Sequence, residues 1–370
     1  MIKVLFLIEH MKMGGAENVL CNLVNHLDPT KFDITVQTIW PNESGRRFRK
    51  GIRLRSCYRK HGRWTNWLMR LEAQLKLTYP LRIRDNYDVE CAFLEFAPTK
   101  ILAASTNKKA KKVAWVHCDL RKVAEDWGTD ISGCKPWYQQ FDKVICVSQD
   151  VRKSYEELFP DAAESMVLHN VVNDALIREK ASLLLPEGTT LRRKTVVSVG
   201  RLENQKNYDG LLRVHNRLMK EGYEYDLWIL GKGAQRQQLE EYIRAEDLQD
   251  SVKLLGYVEN PYPYLREAEL LVCSSKYEGF STFVTEGLIL GKAIVTTDCT
   301  GMKEQLGDSE FGLITPNDEE SLYQGMKNML SDDSLRKHYE EKALQRGKLF
   351  SAQHLVHETE AFLLSLVEEG

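Results

Sequence analysis

The chain has 370 residues, 43% of them hydrophobic, 9% aromatic and 28% charged, with a net charge of −2. That balance belongs to a folded globular protein of about two domains, and it excludes disordered, collagen-like and coiled-coil readings. No apolar run reaches the roughly 18 to 20 residues of a membrane-spanning helix, and the sequence opens directly on a strand-like VLFLI without signal-peptide character, so a cytoplasmic protein is expected.

The eight cysteines (Cys21, Cys57, Cys91, Cys118, Cys134, Cys146, Cys273, Cys299) include no C-x-x-C pair and read as buried free thiols rather than disulfides or zinc ligands. Residues 1–175 hold 27 Lys and Arg against 21 Asp and Glu, a net +6, while 176–370 hold 24 against 32, a net −8. The excess is concentrated in 46–84, with thirteen cations (Arg46 and Arg47 first, Arg84 last) and one acid, Glu72, so an anionic partner is expected there.

In chain order, KVLFLI (3–8), FDITVQTIW (32–40), VECAFL (89–94), KVAWVH (112–117), KVICVS (143–148) and MVLHNVV (166–172) read as strands with helical patterns between them. After a polar stretch over 178–194 the rhythm restarts with TVVSVG (195–200), YDLWILG (225–231), SVKLLGYV (251–258), AELLVCSS (268–275) and KAIVTTD (292–298). From 321 to 369 the chain reads as helices only. The pattern predicts two doubly wound, Rossmann-like α/β domains facing each other across a cleft, divided as 1–174, 175–345 and a terminal helix 346–370 packed back on the first domain.

Ligands of open α/β sheets sit at the carboxyl ends of the strands, so those positions are the candidates. After the first strand come Gly14, Gly15 and Glu17, where paired glycines allow a phosphate to approach amides at a helix start. After TVVSV, Gly200 is followed by Arg201 and Lys206, two cations at a spacing suited to a diphosphate. Gly231 and Gly233 follow YDLWIL, but Arg236 stands where a dinucleotide fingerprint needs its third glycine, which counts against a dehydrogenase. After AELLVCSS, the run Glu278-Gly279-Phe280-Ser281-Thr282-Phe283 leads to Glu286. Ser281 and Thr282 are N-cap residues for a helix whose first amides would face the strand edge, and the two carboxylates could accept hydrogen bonds from diols on either side of a phosphate.

The run EGFSTFVTE (278–286), preceded by GRLxxxK (200–206) and GGAE (14–17), resembles glycosyltransferase family 4, the retaining class with the GT-B fold, over essentially the whole chain. The resemblance implies a nucleotide-sugar donor held by the C-terminal domain and an acceptor held by the N-terminal one. Arg201 and Lys206 are similar to the pair that neutralises the donor diphosphate, Glu278 to the carboxylate on the donor sugar, and Glu286 to the one on the ribose. Gly15 resembles the family's first-loop glycine, and His117 its active-site histidine near the transferred sugar. Asn170 is similar to the asparagine of the family's PNGVD segment, although His169 and Val171 replace the proline and glycine. Gly14, Glu17, Glu95, Asp119 and Ser148 are assigned with Asn170 to the vicinity of acceptor or sugar, and Gly231, Gly233, Tyr257 and Val258 to the nucleotide base.

Chemically, breaking a glycosyl phosphate bond needs cations and amide dipoles on the leaving group, which these positions would supply. No Asp-x-Asp occurs, so no metal and no resident cofactor are expected. The co-substrate expected on family grounds is a UDP-sugar carrying a hexose or N-acetylhexosamine, and the product a capsule, exopolysaccharide or lipopolysaccharide-type glycan. Alternatives are a nucleotide-sugar epimerase on the same scaffold and a non-catalytic nucleotide-sugar-binding protein. The amphipathic, tryptophan-led NWLMRLEAQLKLTY within 46–84 suits the surface of an anionic bilayer, which predicts a peripheral location on the inner membrane face and a lipid-linked acceptor. A solvated helical surface is the plainer reading of the same segment, and no nucleic-acid motif accompanies its charge.

Overall fold

The computed structural model of the chain describes residues 1–12, 14–41, 48–189 and 192–368. Arg46 and Arg47 of the basic segment, and Glu369 and Gly370 at the end, lie outside the described residues. The chain divides into two units, Met1–Val172 with Ala352–Gly370, and Asn173–Ser351.

The first unit carries strands β1 (Ile2–Ile8), β2 (Phe32–Thr38), β3 (Arg53–Ser56), β4 (Val89–Ala92), β5 (Lys111–Val116), β6 (Lys143–Cys146) and β7 (Ser165–Val167). The second carries β8 (Lys194–Val199), β9 (Tyr225–Leu230), β10 (Val252–Gly256), β11 (Leu270–Cys273), β12 (Ile294–Thr297) and β13 (Leu313–Thr315). The sheet orders are β3-β2-β1-β4-β5-β6-β7 and β10-β9-β8-β11-β12-β13. Every pairing is parallel. Both orders reverse direction beside the unit's first strand, and this is the doubly wound arrangement that the strand-helix rhythm predicts.

Helices cover both faces of such sheets, which is why the strands read as continuous apolar runs. Val4 to Ile8 are fully buried, and Phe6, Phe93 and Trp115 meet edge-on and tilted at centroid separations of 5.1–6.5 Å in the first core. The second core gathers Val196, Leu211, Leu227, Ile229, Leu270, Val295 and Met326.

Two strands escape the sequence reading, both of them short edges. Strand β3 is RLRS, held to β2 by an Arg53–Asp33 ion pair at 2.9 Å; charge on an edge discourages further strand pairing but hides the apolar signature. Strand β13 has only three residues. The terminal helix Ala352–Glu368 belongs to the first unit, where Glu360 accepts from the Asp28 amide at 2.6 Å and the Lys31 ammonium at 3.0 Å.

Candidate active site

In the second unit the loops after β8 and β11 are laced together. Ser274 Oγ donates to the Lys206 carbonyl at 2.8 Å, the Lys276 amide to the Gln205 carbonyl at 2.8 Å, and Gln205 Nε2 to the Tyr277 carbonyl at 2.9 Å. This lacing brings Lys206 Nζ to 2.5 Å from Glu278 Oε1, where Ser275 Oγ also donates at 2.6 Å. Burial opposes the charge on Lys206, but the Glu278 carboxylate outweighs it and holds the ammonium's pKa above its ordinary range. Gly200 makes room for this arrangement, since a Cβ there would lie 2.8 Å from the Tyr208 hydroxyl and 3.0 Å from Lys206 Cε. Arg201 stands exposed at the same strand end, with one guanidinium nitrogen 3.3 Å from Gln205 Oε1.

The helix Thr282–Ile289 starts directly after this loop, with Ser281 as its cap accepting from the Val284 amide. The amides of Thr282 and Phe283 open the helix and have no acceptor within it. Phe280 and Phe283 are buried, so their side chains pack rather than present themselves. Gln305, fully buried, holds this helix start: it accepts from the Ser281 amide at 3.0 Å and donates to the Ser281 carbonyl and Thr285 Oγ1 at 2.9 and 2.8 Å. Gly279 lies under Gly301, where a Cβ would come within 2.3 Å of the Gly279 carbonyl oxygen.

Glu286, within the helix, accepts from the Tyr262 hydroxyl at 3.3 Å. Burial pushes its pKa up to about 7, partly offset by the Tyr262 bond. The folded chain therefore holds this proton over a pH range where the unfolded chain has lost it. The stability that proton provides is complete at acid pH and disappears as pH rises through about 7. Were Glu286 the carboxylate that receives ribose hydroxyls, as the family resemblance implies, it would accept from both only when ionised, and uridine affinity would rise about tenfold per pH unit below neutrality and level off above it. In Glu286→Gln the profile should be flat, and in Tyr262→Phe its midpoint should move up. Calorimetric titration with uridine, which has no titrating phosphate, checks this; equal pH profiles in all three proteins would remove Glu286 from the ribose.

Tyr257 follows β10 with 43% exposure, next to Val258. Gly231 and Gly233 have a backbone reason for being glycine, because the loop after β9 lies on the loop after β8 (Leu202 amide to Lys232 carbonyl, 3.0 Å).

In the first unit, His117 follows β5, its ring 4.8 Å from that of Phe93, and its buried Nε2 has no hydrogen-bond partner among the described residues. Burial pushes its pKa down to about 3, only partly offset by the nearby Asn170 side chain and Phe93 backbone, so the imidazole is neutral. Glu95 accepts from the His117 amide and, at 3.1 Å, from the Cys118 amide, so it shapes the strand end that carries His117. Asp119 and Ser148 cap the helices Leu120–Trp127 and Gln149–Leu158. Gly14 caps the helix that begins at Gly15, and Glu17 within that helix pairs with His10 Nδ1 at 3.0 Å, which raises the pKa of His10.

Sequence reasoning missed Ser275, Gln305, Tyr262 and His10. Ser275 and His10 sit just past strand ends and could have been found by that rule. Gln305 and Tyr262 reach their partners from 20 or more residues away in sequence and leave no local signal.

Two family models cover nearly the whole chain: residues 13–176 match one described as Glycosyltransferase Family 4, and residues 186–346 one described as Glycosyl transferases group 1. With two parallel Rossmann-like sheets, the chain belongs to the GT-B glycosyltransferases of the family 4 type. It is 38% identical over 200 residues to the N-acetylgalactosamine-N,N'-diacetylbacillosaminyl-diphospho-undecaprenol 4-alpha-N-acetylgalactosaminyltransferase of Campylobacter jejuni, a match that spans 54% of this chain and 53% of that protein. It is 24% identical, over 97% of both chains, to the same organism's GalNAc-alpha-(1->4)-GalNAc-alpha-(1->3)-diNAcBac-PP-undecaprenol alpha-1,4-N-acetyl-D-galactosaminyltransferase. Among solved structures, HepE of Anabaena in complex with UDP and glucose superposes with a TM-score of 0.80 at 17% identity, over 99% of this chain and 100% of that one.

Proposed function

We propose that the chain transfers a hexose or N-acetylhexosamine from a UDP-sugar to a hydroxyl of a lipid-linked saccharide or growing glycan, retaining the anomeric configuration and using no metal ion. The product belongs to a capsule, exopolysaccharide or lipopolysaccharide-type surface glycan. The observation that carries this reading is the meeting of Lys206, Glu278 and the capped helix start at the carboxyl edge of the second sheet, in a chain of this family. Two relatives named for N-acetylgalactosamine transfer to undecaprenyl-diphosphate saccharides support the acceptor class, and a fold neighbour solved with UDP and glucose supports the donor.

Negative charge builds on the departing UDP as the glycosidic bond stretches. Lys206, kept charged by Glu278, and Arg201 supply cations to it, and the amides of Thr282 and Phe283 supply dipoles. With Glu278 Oε1 engaged by Lys206 and Ser275, Oε2 is the oxygen left to accept a donor-sugar hydroxyl. His117 is neutral, so what it can offer is a hydrogen bond rather than a cation. The departing phosphate oxygen takes the proton of the incoming hydroxyl on the same face of the sugar, which leaves the anomeric configuration unchanged. A lipid-linked acceptor sets the reaction at the inner face of the membrane, with the chain attached peripherally; no helix among the described residues is long and apolar enough to cross it.

Thermal unfolding in the presence of UDP, GDP, ADP or NAD tests the donor class. A ligand at 100 times its Kd adds about 2.7 kcal/mol, a shift of several degrees. UDP alone should give this shift, and stabilisation by NAD alone would defeat the reading. Product analysis by NMR then separates transfer with retention from epimerisation, and turnover that collapses in EDTA would refute a metal-free mechanism.

A further inference from the structure

In the first unit, the helix Arg63–Gln74 buries a carboxylate and exposes both of its tryptophans. Its one acid, Glu72, is the buried residue: it accepts from the Tyr58 hydroxyl at 2.6 Å and from Arg82 Nε and Nη2 at 3.0 and 2.5 Å, while the Arg82 guanidinium lies 4.6 Å over the Tyr58 ring. Leu68 and Met69 are half-buried, and the bulkier apolar residues are outside. Trp64 and Trp67 are 71% and 52% exposed and stack on each other at 4.9 Å, and Leu71 and Leu75 continue the row at helical spacing. Arg63 and Arg70 lie on the adjacent row, with Arg59, Lys60, Lys76 and Arg84 exposed on the flanking chain.

Turning the only carboxylate inward removes negative charge from an outer face that already exposes apolar rings. A row of exposed tryptophan and leucine is unfavourable in water and marks a surface that something covers. Cations interleaved with it select the cover: a second copy would set arginine against arginine, and nucleic acid would give leucine nothing to enter. The interface of an anionic bilayer satisfies both features, since indole rings sit at headgroup depth and lysine and arginine stay at the phosphates.

We infer that the outward face of Arg63–Gln74 docks the first unit on an anionic membrane surface, with Trp64 and Trp67 entering the headgroup layer between Arg63 and Arg70. This surface deepens the membrane location of the proposed transferase, but its test does not depend on catalysis. The full chain is sedimented with vesicles of phosphatidylcholine alone and of phosphatidylcholine mixed equally with phosphatidylglycerol. Binding should appear on the anionic vesicles, weaken with added salt, and fall about tenfold or more in Trp64→Ala/Trp67→Ala and in Arg63→Gln/Arg70→Gln. Both variants should keep the wild-type unfolding temperature and its shift with UDP, because no core or donor-site residue is changed.

Equal partitioning onto both vesicle types, or anionic binding unchanged in the variants, overturns the inference. Dimerisation in solution that Trp64→Ala/Trp67→Ala abolishes would assign the face to a second copy instead. If vesicles bind while no nucleotide stabilises the chain, the docking face stands and the transferase reading falls.

Discussion

Lys206→Ala should lower turnover by about 10²-fold or more, because it removes the cation nearest the developing charge of the leaving diphosphate. It should also destabilise the second unit by about 3–5 kcal/mol, since the Glu278 carboxylate would remain buried without its partner. Glu278→Ala should match it in turnover, because the carboxylate that keeps Lys206 charged and accepts the donor-sugar hydroxyl is gone, and it should cost stability because Lys206 is then left alone with its side chain only 17% exposed. The stability losses should not add. Lys206→Ala/Glu278→Ala should unfold at higher denaturant than Lys206→Ala, because removing both charges ends the burial penalty that removing one creates. Arg201→Ala should leave stability nearly unchanged, since its side chain is exposed. Steady-state rates at saturating donor and urea unfolding of the four variants decide the matter. Wild-type turnover in both single variants would end the site assignment, and additive stability losses would deny that the two side chains form a pair.

Gly231→Ala and Gly233→Ala should each destabilise the second unit by about 3 kcal/mol or more, enough to leave much of it unfolded. Gly231 has φ +149°, where a side chain is strained, and its added Cβ would stand 1.8 Å from the Gly200 carbonyl oxygen. Gly233 meets a different obstacle, with a Cβ 2.2 Å from the Leu202 carbonyl oxygen and no flexible side chain to yield. The comparison variant is Gly222→Ala, at φ +89° but with nothing within 4 Å, which should lose only about 1–2 kcal/mol from backbone strain. Urea unfolding of the three proteins tests the ranking. If Gly233→Ala folds like wild type and loses only nucleotide affinity, its glycine serves the ligand rather than the packing of one loop on another.

These glycines illustrate where a sequence reading stops. Gly231-Lys232-Gly233 after a strand suggests a nucleotide loop, and its position at the sheet's carboxyl edge agrees with that. The reason both residues lack a side chain is the loop after β8 lying across them, some 30 residues earlier in the chain. Asp119 and Ser148 are similar: each stands at a strand end, as a ligand-binding residue would, and the structure gives each a helix to cap. Their polarity is visible in sequence, but the amides they satisfy become visible only once the chain has folded.

The basic segment divides along the same line. Its charge and tryptophans are plain in the sequence, whereas the inward turn of Glu72 depends on Arg82 and Tyr58, and an edge strand of RLRS carries no apolar alternation to announce it. For Lys206 and Glu278, sequence alone established the residue types and their place after two strands, because period and turn chemistry are local. Whether the two would address separate parts of a ligand or one another was decided by the lacing of Gln205, Ser274 and Tyr277, which brings residues 72 positions apart to 2.5 Å. The alternation of strands and helices, the doubly wound class and the strand-end residues follow from hydrophobic period and turn-forming residues, which act over a few positions. The ion pair, the Gln305 clamp, the neutral His117 and the raised pKa of Glu286 follow from burial and from partners distant in the chain, which only the tertiary structure brings together.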